Sequence, residues 1–176
     1  MYLQLFYEVK ASFMNEKEKR MHRCCFTGHR PENLNFPKNL VKYRLKKEIK
    51  QAVIDGYNVF ITGMSRGVDM WAAKIVIKIR KKNKNITLIC ASPYPNFETR
   101  WQHKWQYEYN KIIAQADIVR YICPSYSNFC FQMRNEWMVN HSGRVIAAFN
   151  GKKGGTKNTV EYALKNNKEI RNILNI

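Results

Sequence analysis

The chain has 176 residues and a mass of 20.9 kDa, enough for one hydrophobic core and too little for a second of useful size. With 45% apolar and 25% charged residues it is neither disordered nor fibrous, and no apolar run approaches the roughly 20 residues of a membrane span. Thirty-one Lys and Arg against thirteen Asp and Glu give +18, a field that attracts phosphate-bearing ligands and polyanions without naming one.

The opening MYLQLFYEVK lacks the basic region, apolar core and cleavage site of a signal peptide, so a cytoplasmic protein without membrane association is expected. Residues 1–20 read as an N-terminal extension, polar after Lys10 and ending in a run of charge, with Met14 a candidate alternative start. Residues 21–176 then form one domain. Apolar runs rich in β-branched or aromatic residues predict strands at 23–27, 58–62, 86–91, 117–122 and 144–149. Stripes of helical period lie between them: Leu40, Tyr43, Leu45, Ile49 and Val53, ended at Gly56; then Val68, Trp71, Ala72, Ile75 and Ile79. Further helices are expected over 101–114, 131–141 and 160–164, and a short edge strand within 168–176. Alternating strands and helices predict an α/β fold, a Rossmann-like three-layer sandwich with a mostly parallel central sheet.

Five cysteines, an odd number without secretory context, argue against a disulfide framework. Cys24, Cys25, Cys90 and Cys123 fall in strand-like segments, where a thiol acts as a small hydrophobe. His22, Cys24, Cys25 and His29 lack a second Cys pair at ligand spacing, and neighbours on a strand face opposite ways, so no metal site is expected.

In an open parallel sheet the ligand sits outside the carboxyl ends of the strands. The first strand is followed by Thr27, Gly28, His29 and Arg30, where glycine permits close approach and arginine offers a fork for phosphate. A tight turn with a surface arginine is the plainer alternative. The second is followed by Gly63-Met64-Ser65-Arg66-Gly67-Val68-Asp69, a loop whose N–H groups can point at an anion before a helix begins. The loop is neither a dinucleotide fingerprint nor a Walker loop. Asp69 is either a first-turn carboxylate favoured by the helix dipole or an acceptor for ribose hydroxyls. Tyr94, after the third strand, could stack a base, whereas Trp71, Trp101 and Trp105 read as core. Asn150 opens a loop with Lys152, Lys153, Gly154, Gly155 and Thr156, ending at Thr159, which suits a helix cap; it is a second candidate phosphate cradle, with a flexible hairpin-like loop the alternative. No paired carboxylates, Ser-His-Asp set or Cys-His-Asn set assembles, so binding is better supported than catalysis.

At these residues the chain resembles the YpsA family of the SLOG superfamily, Rossmann-like proteins that include DprA and the LOG phosphoribohydrolases. The motifs are CCFTGHRP at 24–31, TGMSRGVDMWAA at 62–73, SPYP at 92–95, RNEWMV at 134–139 and FNGKKGGTKNTVEYA at 149–163. The resemblance implies the same fold and a nucleotide-like ligand, ADP-ribose or an NAD-derived molecule. It places Gly63, Gly67, Asp69 and the turn Gly154-Gly155-Thr156 in the pocket, and no cofactor is required. LOG enzymes are similar in carrying an arginine matched by Arg134, but their loop glutamate is replaced here by Thr159, and Glu161 would point elsewhere on a helix. Loss of such a residue costs roughly 10²–10⁴-fold in rate.

Three functions follow. The preferred one is binding or sensing of a nucleotide-derived ligand. The alternatives are a hydrolase of a nucleotide N-glycosidic bond, with Asp69 or Glu161 as its carboxylate, and a single-stranded DNA-binding protein of DprA type. The charge leaves nucleic acid open as a partner, although the basic residues look scattered and form no single stripe. Aromatics near 126–131 offer a surface for a homodimer.

Overall fold

The computed structural model describes residues 15–175. Six strands, β1 (Arg23–Gly28), β2 (Val59–Thr62), β3 (Thr87–Ser92), β4 (Ile118–Tyr121), β5 (Arg144–Ala148) and β6 (Glu169–Asn172), form one sheet in the order β4-β3-β2-β1-β5-β6. Every neighbouring pair is parallel. The helices are α1 (Glu16–Met21), α2 (Lys38–Ile54), α3 (Val68–Arg80), α4 (His103–Ile113), α5 (Cys130–Asn140) and α6 (Gly155–Lys165). Among the described residues no helix is long and apolar enough to cross a membrane.

The layers follow from side-chain alternation along buried strands. Cys24, Phe26, Phe60, Leu88 and Ile146 join the apolar stripes of α2, α3 and α4 in one cluster. Cys25, Ile61, Ile89 and Val145 meet Met138 and Val139 of α5 and Ala163 of α6 on the other face. Adjacent Cys24 and Cys25 thus enter separate cores, as strand geometry requires. Central strands covered on both faces are almost wholly apolar, whereas edge strand β4 is exposed throughout.

From β1 the chain winds outward through β2, β3 and β4, then returns by α5 to place β5 beside β1. Right-handed crossovers running in opposite directions put their helices on opposite faces, so a crevice opens where the direction reverses, between β1 and β5.

Two local starts differ from expectation. The last residues of the N-terminal extension form α1, held by a reciprocal capping box: Glu18 N–H donates to Asn15 Oδ1 at 3.0 Å and Asn15 N–H to Glu18 Oε2 at 2.9 Å. The rest of the extension, with Met14, lies outside the described residues. Helix α6 begins at Gly155 rather than near Val160, and its N-cap is Gly154. Thr159 is therefore no cap; it sits inside the helix and donates to Gly155 O at 2.7 Å.

Candidate ligand-binding site

The crevice at the strand reversal holds a cavity of about 310 Å³. Thr27, Gly28, His29 and Arg30 from the end of β1, Ser65 and Asp69 from the β2–α3 loop, and Gly154, Gly155 and Thr156 from the start of α6 all line it. Arg134 of α5 closes it from the second helical layer, together with Phe131, Asn135 and Met138.

Each wall has a local cause. Thr62 Oγ1 donates to Asp69 O at 2.9 Å and accepts from Met64 N–H at 3.3 Å, folding the β2–α3 loop back on itself. Ser65 N–H then donates to Asp69 Oδ2 at 3.1 Å. Gly67 precedes α3 at φ +93°, a conformation costly for other residues, and a Cβ there would lie 2.7 Å from Pro31 Cδ. Gly63 makes room for charge: a Cβ on it would overlap Arg134 Nη1 and lie 2.9 Å from Asp69 Oδ2.

Arg134 is only 4% exposed. It donates from Nη1 to Gly63 O, from Nη2 to Ser65 Oγ at 3.2 Å and from Nε to Asn135 Oδ1 at 2.8 Å. Burial pulls its pKa below the ordinary guanidinium value, with Asp69 countering in part. Burial likewise pushes the Asp69 carboxyl up to about 6, against the pull of Arg134 and the Ser65 bond. The two groups flank Gly63 and are joined through Ser65 rather than by direct ion pairing.

His29 is buried, and its Nε2 has no hydrogen-bond partner among the described residues. Burial, then the nearby Lys152, lowers its pKa. Such an atom is costly to bury unless something fills the site. The first turn of α6 points its amides toward the same space with no side-chain cap, and a Cβ on Gly154 would meet nothing within 4 Å.

Five of the expected site residues stand outside the lining. Gly63 and Gly67 shape the wall from behind. Arg66 turns outward to Glu32 at 2.9 Å. Tyr94 packs edge-on against Phe97, Tyr126 and Phe131. Asn150 pins its loop, donating from Nδ2 to Asn33 O at 2.8 Å and Leu34 O at 3.1 Å. Glu161 is exposed on the far side of α6 and pairs with Lys157 at 3.4 Å, which leaves Asp69 the sole carboxylate among the lining residues.

Five lining residues escaped sequence reasoning: Phe131, Asn135, Met138, Asn33 and Phe26. The first three share a helix face with Arg134 at three- and four-residue spacing, a signal that reads as ordinary core. Lys153 also lines the cavity. It was visible only as one of two loop lysines.

Residues 24–175 match the model of the YpsA family, the YspA SLOG family. The UPF0398 proteins of Bacillus thuringiensis (strain Al Hakam) and Bacillus cereus (strain Q1) are each 27% identical over 158 residues, covering 83% of this chain and 84% of theirs. Among solved structures, DNA processing protein A of Helicobacter pylori, described for its single-stranded DNA binding mode, is similar with a TM-score of 0.61 at 19% identity. That likeness covers 88% of this chain and 66% of the other. The Streptococcus pneumoniae DprA gives 0.58 at 18% identity over 85% of this chain, which spans about half of it (49%). The Moco carrier protein of Chlamydomonas rheinhardtii gives 0.50 at 20% identity, covering 86% of this chain and 74% of that one. These structural likenesses establish the fold, and the match over nearly the whole domain establishes the family: the chain belongs to the YpsA family of SLOG proteins.

Proposed function

We propose that the protein binds a nucleotide-derived ligand of ADP-ribose or NAD type at the carboxyl ends of β1, β2 and β5. The observation that carries this reading is convergence on one cavity: a buried Arg134, Lys153 and the uncapped start of α6 face the same space as a single buried carboxylate. Phosphate oxygens suit the first three. Ribose hydroxyls suit Asp69, and the partnerless His29 Nε2 gains a bond. The cavity, about 310 Å³, is at the small end for ligand sites, so it suits the phosphates and one ribose while the remainder passes the exposed Arg30 and Lys153.

A thermal-shift panel of ADP-ribose, NAD, AMP, ADP and cyclic nucleotides at physiological salt tests the reading. Ligand at about 100 times its Kd stabilises by roughly 2.7 kcal/mol, several degrees in a domain of this size. A selective rise with ADP-ribose or NAD is expected. No shift with any nucleotide, but one with a short single-stranded DNA, would transfer the assignment to nucleic acid.

Hydrolysis of an N-glycosidic bond is the second reading, and Asp69 favours it. A carboxyl pushed up to about 6 is suited to proton transfer near neutral pH. Free base released from AMP or NAD, and lost in Asp69→Asn, would establish it; none at saturating protein would leave binding alone. A homodimer is proposed through the exposed Tyr126, Phe129 and Met133 beside edge strand β4, and light scattering reads it directly.

A further inference from the structure

The lysines that look scattered along the sequence are gathered by the fold. On α2, Lys42, Lys46 and Lys50 recur every fourth residue; Lys74 and Lys78 on α3, with Lys82 in the turn just after it, do the same. That spacing puts each set in one row, with about 6 Å between successive lysines. The helices pack side by side, and the rows form the two rims of a groove of about 1060 Å³ that shares no lining residue with the ligand cavity. Its floor is apolar, with half-buried Val53, Ile75 and Ile79; the exposed Ile54 and Tyr43 also line it, as does Trp105 of α4.

Among the described residues only Lys74 of the six has an acidic partner, Glu108. The other five hold unpaired positive charge above an apolar floor, and Ile54 is 76% exposed. A purely solvating lysine surface needs no apolar floor, and a buried helix face needs no lysine rims. The combination fits an occupant with an apolar face between two acidic edges.

We propose that this groove docks an amphipathic helix of a partner protein, with an apolar stripe flanked on both sides by Asp or Glu. Four-residue spacing of acids on such a helix repeats every 6 Å or so, matching the lysine rows, and the helix-in-groove mode supplies the apolar contact. Single-stranded nucleic acid fits less well because its bases require open aromatic faces. Of the three aromatic residues lining the groove only Tyr43 is open to solvent; Trp105 is half-buried, and Trp71 is 8% exposed with Lys42 Nζ 5.1 Å above its ring, so one ring stands where a run of stacked bases needs several. A bilayer surface is flat and would meet the exposed Ile54 and Tyr43 but not the half-buried Val53, Ile75 and Ile79 between the rows.

The probe is a fluorescein-labelled helical peptide of about 18 residues, with leucines on one face and glutamates along both edges, titrated with the full chain at physiological salt. A scrambled peptide of the same composition separates the apolar face from charge alone. The amphipathic peptide is expected to bind at least about tenfold tighter than the scramble, and Lys46→Glu/Lys78→Glu to weaken it about tenfold or more through like-charge contact. These lysines are exposed, so the thermal midpoint should hold. Should it fall, Lys46→Gln/Lys78→Gln keeps the side-chain stems and is expected to lose a few-fold of affinity. Equal binding of the scramble, or unchanged affinity in both double variants, would overturn the proposal. So would tighter binding of a thymidine oligonucleotide or of phosphatidylcholine–phosphatidylglycerol vesicles that the same variants abolish, which would assign the groove to nucleic acid or to membrane. None of these outcomes depends on the nucleotide cavity.

Discussion

Among the described residues two arginines are buried, each 4% exposed, at opposite ends of the same sheet. Arg144, at the amino end of β5, meets Asp55 at 2.6 Å and Glu169 at 2.8 Å and lies 4.4 Å over the Tyr57 ring. Burial works against its charge, but the bonds to Glu169 and Asp55 outweigh burial and raise its pKa. Arg134, at the carboxyl end, bonds a backbone carbonyl, a serine and an asparagine, and burial prevails. On the proposed function, the difference separates a structural arginine from a ligand-facing one. Arg144 is neutralised by the protein, whereas Arg134 keeps positive charge beside a cavity where an anion would relieve it.

Exchanging each arginine for methionine should break this symmetry. Arg144→Met strands Asp55 and Glu169, which are partly solvated, and should lower unfolding free energy by about 2–4 kcal/mol in a urea titration while leaving nucleotide affinity intact. Arg134→Met should cost less stability, about 1–3 kcal/mol, but weaken a phosphate-bearing ligand roughly 10–100-fold. If the two variants lose affinity equally, the distinction between the ends fails.

Asp69 sharpens the comparison through pH. Its folded pKa of about 6 exceeds the ordinary 3.8, so the native state holds this proton more tightly than the unfolded state does. The stabilisation from that proton is complete below about pH 4 and is lost as pH rises through about 6. Asp69→Asn should therefore flatten the decline in stability between about pH 4 and 7 in parallel urea titrations. On the proposed reading, its ionised form is the one that would accept ribose hydroxyls. Ligand affinity should thus fall as pH drops below about 6 in the wild type, and be some tenfold weaker and pH-insensitive in this region in the variant. The smallest effect belongs to Glu161→Gln: an exposed pair with Lys157 is worth about 0.5 kcal/mol or less, and neither affinity nor any base release should change.

The strands could be read from the sequence because buried parallel strands are short, continuous apolar runs bounded by loops. Their order could not, since nothing local says that β5 returns beside β1 and creates the crevice. Thr159 misled as a cap because hydroxyl residues usually begin helices, while α6 starts at Gly155, five residues before Val160, and its N-cap Gly154 leaves the amides without a side-chain cap. Arg134 emerged through resemblance alone; in isolation it is an arginine on a helix with a weak apolar stripe. The lysine rows were present as a four-residue period, yet which helices would lie side by side is a property of the fold.

Calorimetric titration of ADP-ribose into the wild type, Arg144→Met and Arg134→Met under one buffer is the most direct test. Site-specific binding predicts one ligand per chain in the wild type, retained in Arg144→Met and sharply weakened in Arg134→Met. No binding heat with ADP-ribose or NAD, or equal affinity in all three proteins, would contradict the cavity as a nucleotide site.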